Sequence, residues 1–298
     1  MRLLLSHRSG YIYGRPAALG PHTIRLRPAT HAKAHVETYA LHIDPQCRVG
    51  WQQDPAGNHI ARVTFDPGRR VSMLEVLVEL AVDVRPVNPF DFFIDPECKV
   101  TPFRYSESIA RDLAPCLDVS DPAYAGGPHL EAFLRDLPRE GTTIDFVVAL
   151  NRAVHAKLQY VIREELGVWT PEQTLAEGRG SCRDSAVLLV AVLRSLGLAA
   201  RFVSGYIFVP DLEATEITCG GATHAWMQVY LPGAGWVDFD PTNNIIGNRN
   251  LIRVAVAWDP KQVLPLWGTY VGPASAFKGM DVSVSVTPGT PAQAHVQA

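Results

Sequence analysis

The chain has no long hydrophobic run. Its longest strongly apolar stretch, Ala186 to Leu193, falls far short of the roughly 18 residues that cross a bilayer. The opening "MRLLLSHRSGYIYG" offers a few leucines before polar residues resume, too little for the apolar centre of a secretory signal. Cysteine is scarce: Cys47, Cys98, Cys116, Cys182 and Cys219 are odd in number and widely scattered. That argues against a disulfide framework and for a reducing, cytoplasmic setting. No block of like charge occurs, and 27 basic against 30 acidic residues leave a net charge of −3. The electrostatic footprint of a nucleic-acid or anionic-membrane partner is therefore missing. So are a phosphate-cradling glycine loop, a dinucleotide fingerprint and a calcium-loop signature, so no cofactor is expected. His31 and His35 ("HAKAH") would suit a metal only on a helix, and no carboxylate or cysteine nearby completes a zinc site.

What is present is an ordinary globular composition, 47% hydrophobic and 19% charged over 298 residues, enough for two domains. The first hundred residues read as strands. "HVETYALHID" alternates, "DPAGN" is turn-like, "HIARVTFDPG" follows, and the apolar "SMLEVLVELAVDV" closes the series. Short alternating segments between Gly, Pro and Asn predict an all-β, sandwich-like module over 1–103. Its last part, Arg85 to Phe103, is rich in proline and reads as a connector. Helical spacing then takes over in "HLEAFLRDL" and "TTIDFVVALNRAVHAKLQYVI". After "CRDSAVLLVAVLRSLG" the segments "ARFVSGYIFV", "THAWMQVYL" and "GWVDFDP" return to strand character, and "MDVSVSV" is a last strand. Helices followed by a block of strands predict an α+β core over 104–286, with 287–298 a flexible tail. There is no internal repeat.

One cysteine stands apart. In "GRGSCRDSAVLLVAVLRSLG", Ser181 is a helix N-cap, Asp184 completes a capping box, and Gly197 is the C′ residue. Cys182 then sits among the unpaired N–H groups at the positive end of an apolar helix, a setting that favours thiolate. Arg179 and Arg183 push the same way. The other four cysteines have no such environment and read as structural.

A thiol nucleophile needs a base, and the base needs an orienter. In "GGATHAWMQVYLPGAGWVDFDPTNN" two strands flank a Pro-Gly turn. His224, Trp226, Gln228 and Tyr230 share one face of the first strand; Trp236, Asp238 and Asp240 share one face of the second. Register decides whether the faces coincide. Pairing Leu231 with Trp236 leaves a loop of even length and puts His224 and Asp240 on opposite sides. A loop of odd length, from pairing Tyr230 with Trp236 or from a turn over Pro232 to Ala234, makes them diagonal neighbours about 7–8 Å apart at the backbone. Asp238 has the same parity but lies one pair further from His224.

With Cys182, His224 and Asp240 in that order, the chain resembles the transglutaminase-like superfamily of papain-like thiol enzymes. "GRGSCRDSAVLLVAVLRSLGLAARFVSGY", "HAWMQVYLPGAGW" and "DPTNN" carry the resemblance, and "RLRP", "GN", "NPFDFF" and "LPLWGTYVG" extend it to the bacterial N-terminal β module and the end of the chain. It implies a papain-like core, a helix bearing Cys182 packed on an antiparallel sheet bearing His224 and Asp240. It also implies amide acyl transfer or hydrolysis through a thioester, with peptide or protein amides as substrates. The Cys182 backbone N–H would be one oxyanion donor; Tyr160, Trp169 and Gln173 are candidates for a second. "PDLEATEITCGGAT", just before His224, is expected to border the groove.

Overall fold

The computed structural model describes residues 1–84, 88, 90–163, 165–208, 223–247 and 250–289. Arg2–Ile24 (β1) is the spine of the first half. His35–Asp44 (β2), Cys47–Gln53 (β3), His59–Phe65 (β4) and Arg70–Asp83 (β5) follow, in the order β2-β5-β1-β4-β3. All their pairings are antiparallel. Register shifts between Ile12 and Ala17 and between Leu19 and His22 re-aim β1 part-way. Its first stretch therefore pairs with β5 and its last with β4. Alternation sets the faces: Leu3, Leu5, Leu74, Val76, Val78 and Leu80 are buried, with exposed or half-buried residues between them in each strand.

A connector leads to the short pair Val100–Thr101 (β6) and Gly141–Thr142 (β7). Between these lie Glu107–Asp112 (α1), Ala114–Leu117 (α2) and Pro128–Asp136 (α3). Thr143–Lys157 (α4) is capped by the Thr142 hydroxyl. Gln159–Tyr160 (β8) pairs in parallel with Arg179–Gly180 (β9), across Pro171–Glu177 (α5). Cys182–Ser195 (α6) comes next, and every residue from Asp184 to Arg194 is buried. Burial of a large aliphatic side chain contributes roughly 1.5–3 kcal/mol, so α6 is a rigid central element. It packs on Ala200–Ile207 (β10) and Thr223–Leu231 (β11). Gly235–Asp240 (β12), Ile245–Ile246 (β13) and Leu251–Ala257 (β14) complete a five-stranded sheet in the order β13-β12-β11-β10-β14. The core is α+β: helices against an antiparallel sheet.

Two findings depart from the sequence reading. Leu266–Val271 (β15) and Phe277–Pro288 (β16) pair with β1, on the edge opposite β5. "MDVSVSV" thus belongs spatially to the N-terminal sheet and not to the core, and pairing continues through Pro288, past the expected end of order at 286. The N-terminal module is accordingly a seven-stranded antiparallel sheet wound around β1. A single apolar cluster runs from its inner face into α4, α6 and the core sheet. Asn58 fastens the seam at another point: its side-chain amide donates to Val256 O at 2.7 Å and accepts from Val256 N–H at 2.8 Å.

Candidate active site

Cys182 opens α6, half-buried. Ser181 precedes it in extended conformation (φ −83°, ψ 176°) and forms a capping box with Asp184. The Asp184 carboxylate accepts the Ser181 N–H at 2.9 Å and the Ser181 hydroxyl at 2.7 Å. It does more than cap. Arg163 grips both its oxygens, Nε to Oδ2 at 2.8 Å and Nη2 to Oδ1 at 3.0 Å, and the Trp169 N–H donates to Oδ1 at 2.8 Å. Burial pushes the Asp184 carboxyl up, but Arg163, Trp169 and Ser181 together outweigh it and hold it below the usual carboxylate range.

The two flanking arginines are engaged elsewhere. Arg183 donates to the carbonyls of Arg163 (2.9 Å) and Glu165 (2.6 Å). Arg179 is exposed and pairs with Glu177 at 3.3 Å. The cation at the helix start is Arg163, which the sequence reading did not single out; 21 residues from Asp184, it shares no periodicity with it.

The other end of α6 fixes at which end of the sheet the helix begins. Gly197 takes φ +82°, and its N–H and that of Leu198 close the last turn on Arg194 O and Leu193 O, both at 2.9 Å. The buried Arg194 guanidinium donates to Ala200 O through Nε (3.1 Å) and Nη2 (2.9 Å), and Ala200 pairs with Val229. The tight turn sends β10 back under the helix. Fourteen helical residues span about 20 Å, and the strand from Val229 back to His224 covers nearly as much. The start of α6 and His224 therefore stand at the same end of the sheet.

The hairpin has the odd-length loop. Leu231 pairs with Gly235 and Tyr230 with Trp236, so Pro232–Ala234 form the turn, with Gly233 and Gly235 at positive φ. His224 Nε2 and Asp240 Oδ2 are 2.8 Å apart, and both side chains are fully buried. Asp240 accepts the N–H groups of Thr242 (2.9 Å) and Asn243 (3.3 Å) on Oδ1, and the Asn243 amide (2.7 Å) on Oδ2. Burial raises its pKa, but the imidazole and Asn243 outweigh that and hold it below the usual range. An ionised Asp240 places the imidazole proton on Nε2, which makes Nδ1 the basic nitrogen. Asn151 and His155 of α4 anchor the turn beyond: Asn151 Nδ2 lies 3.1 Å from Asn244 Oδ1, and His155 Nδ1 lies 3.1 Å from both Pro241 O and Thr242 O. Asn151, His155 and Asn243 escaped the sequence reading; "DPTNN" was the signal for the last.

Asp238 has a different place. Its Oδ1 accepts Trp226 Nε1 and Gln228 Nε2, each at 2.9 Å, which ties the hairpin together. Tyr160 is half-buried and pairs with Gly180, two residues ahead of Cys182. The Trp169 ring lies under the Arg163 guanidinium, 4.3 Å from its centroid. Gln173 is exposed on α5. His31 bonds to Asn58 at 3.0 Å and His35 begins β2, so they do not form a pair on one helix face. Cys219 and the loop before Thr223 lie outside the described residues.

Residues 132–241 match the family model of the transglutaminase-like superfamily core, and residues 3–83 that of the bacterial transglutaminase-like N-terminal region. An uncharacterized protein of Mycobacterium tuberculosis is 36% identical over 96% of this chain and 93% of its own length. The chain belongs to the transglutaminase-like superfamily. A second uncharacterized member, from Mycobacterium leprae, is 28% identical over 96% of this chain and 98% of its own length. A protein-glutamine gamma-glutamyltransferase of Pseudomonas aeruginosa is 27% identical over 42% of this chain, a match that takes in 20% of that longer protein. Among solved structures, a candidate cysteine protease from Cytophaga hutchinsonii superposes with a TM-score of 0.69 at 18% identity, covering 98% of this chain and 93% of that one. The fold is thus that of the superfamily, N-terminal module included.

Proposed function

We propose that this superfamily member is a thiol enzyme acting on peptide or protein carboxamides, with Cys182 as nucleophile, His224 as acid and base, and Asp240 as orienter. The carrying observation is the buried His224–Asp240 pair, which presents Nδ1 as the basic nitrogen at the end of the sheet where α6 begins. The Cys182 thiolate attacks the amide carbon, and the imidazolium gives its proton to the departing nitrogen, so ammonia or an amine leaves and a thioester remains. Water or a second amine then takes the acyl group and restores the thiol. The tetrahedral oxyanion is met by the Cys182 N–H and by Tyr160, whose pairing with Gly180 favours it over the exposed Gln173 and over Trp169, stacked beneath Arg163. The gamma-glutamyltransferase relative supports glutamine side chains as the amides of first choice. Free Cys47, Cys98 and Cys116 support a reducing, cytoplasmic setting.

The test is incubation of wild type and Cys182→Ala with a diverse peptide library and a primary amine, read by mass spectrometry. Amine incorporation, conversion of amide to acid, or backbone cleavage is expected with wild type only. Alkylation of Cys182 by iodoacetamide near neutral pH is expected to outpace that of an ordinary thiol and to slow in His224→Ala. No turnover, together with an ordinary thiol indifferent to His224, would leave a peptide-binding groove without catalysis.

A further inference from the structure

The helix start contains an electrostatic conflict. The amides around Cys182 favour an anion, yet the capping box puts a carboxylate, Asp184, only two residues from the sulfur. Asp184 is fully buried and held ionised, so water does not screen it. Left alone, it would oppose the thiolate that the reaction needs.

We infer that Arg163 is a positioning residue that neutralises Asp184 at the start of α6 and so lets the capping carboxylate coexist with an ionised Cys182. This rests on the reading of Cys182 as a nucleophile. The geometry is specific to the task. The Arg163 side chain is only 5% exposed and contacts both oxygens of a carboxylate that is 0% exposed. Its Cζ lies over the Trp169 ring, 4.3 Å from the centroid, and Trp169 gives its own N–H to the same carboxylate. The backbone carrying Arg163 is pinned in turn, because Arg183 donates to the carbonyls on either side of residue 164. A lysine would supply the charge without the fork. Other ionisable groups around the helix start are Glu165, Glu177 with Arg179, Tyr160, and the His224–Asp240 pair of the sheet. Glu165 and the Glu177–Arg179 pair are exposed to solvent screening, whereas Arg163 and Asp184 are not.

The experiment is the pH dependence of Cys182 alkylation by iodoacetamide in the full chain. Arg163→Met should raise the titration midpoint by about one pH unit, the effect of one charge about 10 Å away at an effective dielectric near 20. Alkylation below the midpoint would slow about tenfold. Asp184→Asn should lower the midpoint instead, and the double variant Arg163→Met/Asp184→Asn should return it close to wild type. Arg163→Lys should keep most of the wild-type midpoint. A purely structural clamp predicts the opposite for the double variant, a midpoint displaced at least as far as in Arg163→Met. That result, or an unmoved midpoint in a folded Arg163→Met, overturns the inference. If Arg163→Met does not fold, Arg163→Lys and Asp184→Asn still decide, since their midpoints must lie near and below wild type respectively. Every comparison is with wild type, so an ordinary wild-type midpoint that ignores His224→Ala would sink the catalytic reading without deciding this one.

Discussion

At the scale of single residues, the site rests on two buried carboxylates, Asp184 and Asp240, each accepting several donors. Asp240 takes two backbone N–H groups, one side-chain amide and one imidazole, so its removal strands several buried donors. Asp240→Ala should lower kcat/KM by about 10²–10⁴-fold, the range of a misplaced general acid and base. Asp240→Asn keeps an oxygen for Nε2–H and should lose much less, since an Asn in this position serves other Cys-His enzymes. Steady-state kinetics on any substrate found in the library would show the order of the two variants; equal losses would mean that the carboxylate's charge, and not merely an oxygen in its place, serves the imidazole. The helix start at Cys182 and the contact between His224 and Asp240 were legible because each rests on a short, local pattern. Arg163, Asn151 and His155 were not, because each acts from a distant segment through a contact that no spacing encodes.

At the scale of elements, the hairpin shows why legibility stops at register. Alternation put His224, Trp226 and Gln228 on one face, and parity then demanded an odd loop, but only the fold chose three residues over five. Similarly, alternation in Met280–Val286 identified a strand without revealing that it joins β1, whose pairing residues lie at the opposite end of the chain. β10 carries a constraint of the same kind. Gly205 pairs with His224, and a Cβ there would stand 2.2 Å from Ile252 O and 2.7 Å from the Trp226 ring. Its φ is ordinary, so the requirement is close approach, not backbone freedom. Neither a carbonyl of the neighbouring strand nor a fully buried indole can retreat. Gly205→Ala should therefore destabilise the protein by about 1–3 kcal/mol through overpacking, read as a lower denaturation midpoint. Because the displaced strands carry His224, activity at a temperature where the variant is still folded should fall as well; a variant as stable and active as wild type would show that the sheet yields.

At the scale of the whole molecule, the N-terminal sheet and the core share one interior, and polar groups lie within the seam. His7 of β1 is 2% exposed, with Nδ1 2.8 Å from the Tyr206 hydroxyl of β10 and Nε2 2.9 Å from Ser9 Oγ. Tyr206 immediately follows Gly205, so this contact joins the module to the strand beside His224. Burial lowers the His7 pKa to about 4 from the ordinary 6.5. Between those values the unfolded chain binds a proton at His7 and the native protein does not, so stability must fall as pH drops through that window and level off below it. From pH 7 to pH 5 the loss attributable to this one imidazole is about 2 kcal/mol. Buried His22 and half-buried His31 also have lowered pKa values and add to the trend, so the assignment needs a difference. Urea unfolding of wild type and His7→Gln at pH 7 and pH 5 supplies it: glutamine can hydrogen-bond in the seam but does not titrate there. The wild type should lose about 2 kcal/mol more than the variant on acidification. Equal losses would mean that His7 gains its proton inside the fold, and that the seam opens to water long before the molecule comes apart.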